Sequence, residues 1–136
     1  MKIVVLAVGR LRPPFADDVQ HYRKLLAGVA RVEVMEVRED DRLARRIPER
    51  AYVSLLDSEG EAMDSIAFSR WMEQRRMEGR DLWFVIGGAF GGVELDRVDH
   101  RLSLGPITLP HQLARVVLLE QVYRAHKILA NEPYHY

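Results

Sequence analysis

A single-domain α/β fold with a parallel sheet is what the pattern of this chain predicts. Two observations carry it. Strand-like runs alternate with segments of helical periodicity along the whole chain, without an internal repeat, and two of those runs, Lys2–Val8 and residues 81–86, are strongly apolar. Such runs belong to strands buried on both faces, as in a parallel sheet. A length of 136 residues is that of one domain, enough to take about 68% of the unfolded surface out of water.

Each element follows from local signals. Lys2–Val8 is a β-branched run ended by Gly9, and Pro13-Pro14 places a helix start at Phe15. Phe15, Val19, Tyr22, Leu25 and Leu26 then recur at helical spacing through Ala27. Residues 31–37 alternate with period two, as in a strand exposed at a sheet edge. The charged stretch 38–50 reads as a solvated connection or a short helix. Residues 51–56 form a third strand, closed by the turn Asp57-Ser58-Glu59-Gly60. Asp64 or Ser65 caps a helix that runs to Glu78, buries Ala67, Phe68, Trp71 and Met72, and stops at Gly79. Residues 81–86 form a central fourth strand, 93–98 a helical turn or two, and 102–104 a short fifth strand. The longest helix, 111–130, spans about 30 Å. Its apolar residues wrap most of its circumference, more than one sheet can cover, so a second copy of the chain is expected against it.

Composition removes several functional classes. The chain has no cysteine, which excludes disulfides, a thiol nucleophile and a thiolate zinc site. His111, His126 and His135 have no metal-ligand spacing, so no metal is expected. The apolar runs are too short for a membrane span or a signal-peptide core, which predicts a soluble, cytoplasmic protein. A formal net charge of zero gives no whole-molecule attraction to nucleic acid. Lys2, Lys24 and Lys127 are the only lysines among 20 basic residues, so the cation is mostly Arg, which pairs with phosphate as a planar fork. Biased codon usage or heat adaptation explains the same composition. From His100 onward the chain is mildly basic and holds four of the five histidines.

The chemistry concentrates in the last third. Gly9 stands alone after the first strand, so the dinucleotide-binding fingerprint is absent, as is a phosphate-cradling Walker loop. Gly87-Gly88 follows a buried strand and lets backbone approach a ligand closely, although a plain tight turn explains it as well. Thr108-Leu109-Pro110-His111 opens the long helix and leaves unpaired amides beside the Gly105 loop; simple helix initiation accounts for the same residues. The ring-bearing tail Tyr134-His135-Tyr136 suits stacking on a base and contact with phosphate, or is a frayed terminus.

Several stretches, in this order and spacing, closely resemble the ribosomal RNA large subunit methyltransferase H family. They are Gly87-Gly88-Ala89-Phe90-Gly91, Leu102-Ser103-Leu104, the run from Thr108 to Val116, Glu120-Gln121-Val122-Tyr123-Arg124-Ala125 and Pro133-Tyr134-His135. The resemblance covers residues 51–136 well, and the opening strand and helix also look like the family's start. It implies a small SPOUT-class enzyme, an α/β fold with a C-terminal trefoil knot, that methylates N3 of a pseudouridine in 23S rRNA with S-adenosyl-L-methionine as donor. The donor's adenosine loops then correspond to Leu56, to Gly88, and to Gly105, Pro106, Ile107, Thr108, Leu109 and Pro110. Two departures from the family stand out: beside it, the connection 38–50 looks about twenty residues shorter than is usual, and Tyr136 stands where the family commonly ends in Arg or Lys. Arg124 or Arg115 is left to supply that cation.

The chemistry implied is in-line methyl transfer, in which alignment carries most of the work. The N3 proton of the uracil-type ring must leave, and the anion so formed must be stabilised. Arg124 and His111 are the candidates for stabilising charge. Tyr134 and His135, reaching from the partner of a homodimer, position the nucleotide, with His135 the candidate proton acceptor; exchanging the roles of His111 and His135 contradicts nothing in the sequence. Balanced net charge makes the assembled ribosome the expected substrate. A non-catalytic dimeric binding module that holds a nucleotide-like effector, and a methyltransferase of the same fold acting on tRNA, are the competing readings.

Overall fold

The structure, a computed structural model, describes residues 1–38, 43–88 and 95–134. It contains a five-stranded, wholly parallel sheet in the order β2-β1-β4-β3-β5. The strands are β1 (Lys2–Val8), β2 (Arg31–Val37), β3 (Tyr52–Ala62), β4 (Leu82–Ile86) and β5 (His100–Ser103). The helices are α1 (Phe15–Ala27), α2 (Leu43–Arg46), α3 (Ser65–Glu78) and α4 (His111–Leu129).

The period of two in the strands divides the core into two layers. Ile3, Val5 and Ala7 of β1 and Leu82, Phe84 and Ile86 of β4 point to one face, where they meet α1, α3 and α4 through Val19, Leu26, Phe68, Trp71, Leu118, Leu119 and Val122. Val4, Leu6, Val8, Val53, Leu55, Trp83 and Val85 point to the other, against Leu43 of the one-turn α2 and the segment around Leu95 and Val98. Burial on both faces is why β1 and β4 read as unbroken apolar runs, and β2, with its exposed alternate residues, does lie at an edge.

Helix boundaries follow their punctuation. Asp64 caps α3 by accepting from the Ala67 N–H at 2.7 Å, and Gly79 closes it in the left-handed conformation at φ 84°. Ala67 itself is only half-buried; Phe68, Ser69, Trp71 and Met72 make the buried stripe. Helix α4 is covered more completely than one sheet allows because α1 and α3 flank it. Leu113 and Val117, one turn apart, remain half-buried and join neither core cluster.

Three expectations are corrected. The residues 57–60 do not end the third strand. The chain bulges out between Leu56 and Glu61 and rejoins β5, because Glu61 and Ala62 still pair with Leu102 and Ser103. The fifth strand begins at His100, two residues before the apolar run, since parallel pairing with Ser54 recruits it. Of the helical turn expected at 93–98, residues 95–98 are not helical and 93–94 lie outside the described residues. The expected C-terminal trefoil knot depends on the path of the chain between β4 and α4, which includes residues 89–94, outside the described residues. Among the described residues no helix is long and apolar enough to cross a membrane.

Candidate active site

The carboxyl ends of β3, β4 and β5 and the start of α4 enclose a cleft of about 780 Å³. This end of an open parallel sheet is where ligands bind in α/β folds, because loops diverge there. Seven of the eight expected donor-binding residues line it: Leu56, Gly88, Gly105, Ile107, Thr108, Leu109 and Pro110. Pro106 does not, and is exposed. Residues the sequence reading did not single out also contribute, among them Asp57, Ser58, Arg101, Leu102 and Leu104.

Local structure explains the shape. Gly105 adopts φ 123°, strained for any other L residue, and its N–H and carbonyl both bond Ser103 Oγ, at 3.1 and 2.9 Å. The next residues bend at Pro106 and Ile107 and reach Pro110 without regular structure, and α4 begins without a side-chain cap. Its start is tied to the β1–α1 connection, where Gln112 accepts from the Arg12 N–H at 2.8 Å and donates to the Arg10 carbonyl at 3.2 Å. The opposite wall is the β3 bulge. Gly60 packs so tightly against β5 that a Cβ there would lie 2.6 Å from the Arg101 carbonyl carbon and oxygen.

His111 lines the cleft, with Nδ1 buried and without a hydrogen-bond partner among the described residues. Burial first, and then the guanidinium groups of Arg115 and Arg12, hold its imidazole below the usual histidine value. It is therefore neutral at physiological pH, suited to accept a proton rather than to supply fixed positive charge. Arg115 is fully buried. Its Nη2 donates to the Val8 and Gly9 carbonyls, each at 2.8 Å, and its Nη1 to Glu36 at 3.0 Å. The idea that Arg115 supplies a cation to RNA is thus overturned: its guanidinium closes the end of β1 and is out of reach of any substrate.

Arg124 and Tyr134 come together, but away from the cleft. Arg124 pairs with Glu120 at 2.8 Å, and its guanidinium carbon lies 4.6 Å from the centre of the Tyr134 ring, which packs edge-on against Tyr123. Burial, with a hydrogen bond to Glu120 added, pushes the Tyr134 phenol well up, so it stays un-ionised. Thirteen residues of α4, about 20 Å at 1.5 Å per residue, separate Arg124 from His111. His135 and Tyr136 lie outside the described residues. Among the described residues no cluster of His, Asp and Glu could hold a metal ion.

A parallel α/β sheet with a loop-built cleft at its carboxyl edge has the arrangement in which open α/β sheets hold ligands. The sequence model described as "Predicted SPOUT methyltransferase" matches residues 1–135. Proteins named ribosomal RNA large subunit methyltransferase H are similar over nearly their whole length. The one from Gemmatimonas aurantiaca is 39% identical and that from an Anaeromyxobacter species 40%, each with 99% of both chains covered. The one from Gluconacetobacter diazotrophicus is 39% identical, with 96% of this chain and 95% of that protein covered. The chain belongs to the SPOUT methyltransferases, within the ribosomal RNA large subunit methyltransferase H family.

Proposed function

We propose that residues 1–136 act as one knotted methyltransferase domain that, as a cytoplasmic homodimer, methylates N3 of a pseudouridine in 23S rRNA of the assembled ribosome, with S-adenosyl-L-methionine as donor. The observation that carries this reading is the cleft itself: in a chain matched end to end by rRNA methyltransferases, it gathers Leu56, Gly88, the Gly105 loop and His111. Its residues fit the donor. About 780 Å³ is ample for a small molecule, the apolar side chains of Ile86, Leu102, Leu104 and Leu109 suit a purine ring, and the backbone of the 105–110 loop offers polar groups at its edge.

When bound, the donor supplies a methyl group on a positively charged sulfur. The protein's task is to hold the uracil-type ring in line with that methyl and to free its N3 lone pair. Neutral His111 is placed to take the N3 proton or to orient a water that does. Arg124 stands about 20 Å along α4 from His111 of its own chain, with Tyr134 packed against it, so the two serve the cleft of a second copy, and the half-buried Leu113 and Val117 give that copy an apolar stripe to cover. Arg124 then stabilises charge on the deprotonated ring, while Tyr134, held by Tyr123 and Glu120, positions the nucleotide together with His135. A balanced net charge provides little sequence-independent attraction to RNA, which favours a substrate whose shape adds contacts.

Labelled methyl transfer to intact ribosomes, with nucleoside mass spectrometry, tests the reading. Label is expected in large-subunit rRNA as a methylated pseudouridine and is expected to fall sharply with His135→Ala; label in tRNA, or equal labelling of a short naked hairpin, would overturn it. The composite site has its own check: His111→Gln and Arg124→Ala chains, each strongly slowed alone, should regain activity when mixed and allowed to exchange subunits.

The pH profile separates the two histidines. If His111 accepts the proton, its folded pKa lies below 6.5, so it stays unprotonated as the medium is acidified through that value. The acid limb of kcat/KM should then fall below pH 6.5, and His111→Gln should abolish it. A limb at or above 6.5 that survives in His111→Gln assigns the step to another group.

A further inference from the structure

Asp57 and Arg101 are the only side chains with a formal charge among those described around the cleft, and they meet on one wall of it, Arg101 Nη1 donating to Asp57 Oδ2 at 2.9 Å. Asp57 is set on the β3 bulge, where its Oδ1 accepts the Glu59 N–H at 2.9 Å, and Arg101 on β5. Both remain reachable, with side chains 26% and 53% exposed. Arg101 Nη2 and Nε make no hydrogen bond among the described residues, so one edge of the fork is open, and the Asp57 oxygens keep lone pairs beyond those in use. Simple surface pairing does not account for the placement, because the bulge that carries Asp57 is pinned to β5 by the backbone contact at Gly60.

We infer that the Asp57–Arg101 pair is the subsite for the zwitterionic amino-acid end of the methyl donor, Arg101 taking its carboxylate and Asp57 its ammonium. This rests on the reading of the cleft given above and deepens it. The donor has a neutral aromatic end, a positively charged sulfur between, and an amino-acid end that carries both a carboxylate and an ammonium. The Gly105–Pro110 side of the cleft is apolar and backbone-lined, which leaves the charged end for the wall that holds both complementary groups. A guanidinium presents parallel N–H groups that match a carboxylate. With each charge of the ligand meeting its opposite, the pair accepts the zwitterion without a net change in local charge.

Calorimetry with S-adenosylhomocysteine and with 5′-methylthioadenosine, which lacks the amino-acid end, tests the assignment on the full-length protein. Asp57→Asn and Arg101→Gln should each weaken the first by about tenfold and leave the second within about twofold, as expected for loss of a charged hydrogen bond at one end only. Arg101→Lys, which keeps the charge and loses the fork, should recover part of the affinity. Decarboxylated S-adenosylmethionine should bind the wild type more weakly than the intact donor, yet bind Arg101→Gln and the wild type alike. Parallel losses for both ligands in the variants, or decarboxylated donor that still discriminates Arg101→Gln from the wild type, overturns the assignment. So does unchanged ligand binding with a raised KM for ribosomes, which would give Arg101 to an RNA phosphate. A wild-type protein that binds neither adenosine compound refutes the reading of the cleft itself, a result distinct from all of these.

Discussion

Arg115→Met is expected to lower the free energy of unfolding by about 3 kcal/mol, the scale for removing one partner of a buried charged network. The Val8 and Gly9 carbonyls would lose their donor in a place water does not reach, since Arg115 is fully buried. Glu36, whose side chain is 40% exposed, can rehydrate and adds less. Glu36→Gln should therefore cost only about 1 kcal/mol, because an amide oxygen can still accept from the Leu11 N–H. Urea denaturation with an unchanged m-value measures both. Equal and small effects would mean that water enters behind α4 and that the guanidinium is not sealed in.

Gly60→Ala is expected to destabilise the fold by about 2 kcal/mol, within the usual range of overpacking effects, and to weaken donor binding about tenfold. The new Cβ would meet Arg101 C and O at 2.6 Å and Leu102 N at 2.9 Å. All three are backbone atoms, so no side-chain rotation relieves the contact. The β3 bulge must instead move off β5, carrying Asp57 and Ser58 away from Arg101 and Leu102 beside them on the same wall. Gly79→Ala is the control: φ is 84° there but nothing lies within 4 Å of the added carbon, so it should cost about 1 kcal/mol and leave the affinity alone. Thermal melts and titration calorimetry on the same samples separate the two cases.

Where local chemistry decides structure, the sequence was sufficient. The unbroken apolar runs placed β1 and β4 at the middle of the sheet, period-two alternation placed β2 at its edge, and Asp64 and Gly79 bracketed α3. The glycine and proline positions marked loops that line the cleft, Pro106 apart. What escaped is set by partners distant in the chain. Asp57-Ser58-Glu59-Gly60 carries every turn signal, and only pairing with β5 pulls the strand onward to Ala62. Arg115 looked like a free cation because its carbonyl partners are more than a hundred residues away. A hint was present: it shares a helical stripe with Leu118, Leu119 and Val122, all buried, which is a position where a charge must find a partner. Asp57 and Arg101 meet across 44 residues, and nothing in either one's neighbourhood announces the other.

His100 bridges the buried Ser54 hydroxyl, at 2.9 Å from its Nδ1, and the Glu61 carboxylate, at 2.9 Å from its Nε2, while its ring lies 4.7 Å from that of Trp71. Glu61 is where the bulge rejoins the sheet, so any shift of that wall is passed through one imidazole to one indole. The chain has two tryptophans, and the other, Trp83, points into the opposite layer. The molecule thus carries a built-in optical gauge: Trp71 emission is expected to change with the state of the ligand wall, while the indole on the far side of the sheet is expected to stay constant.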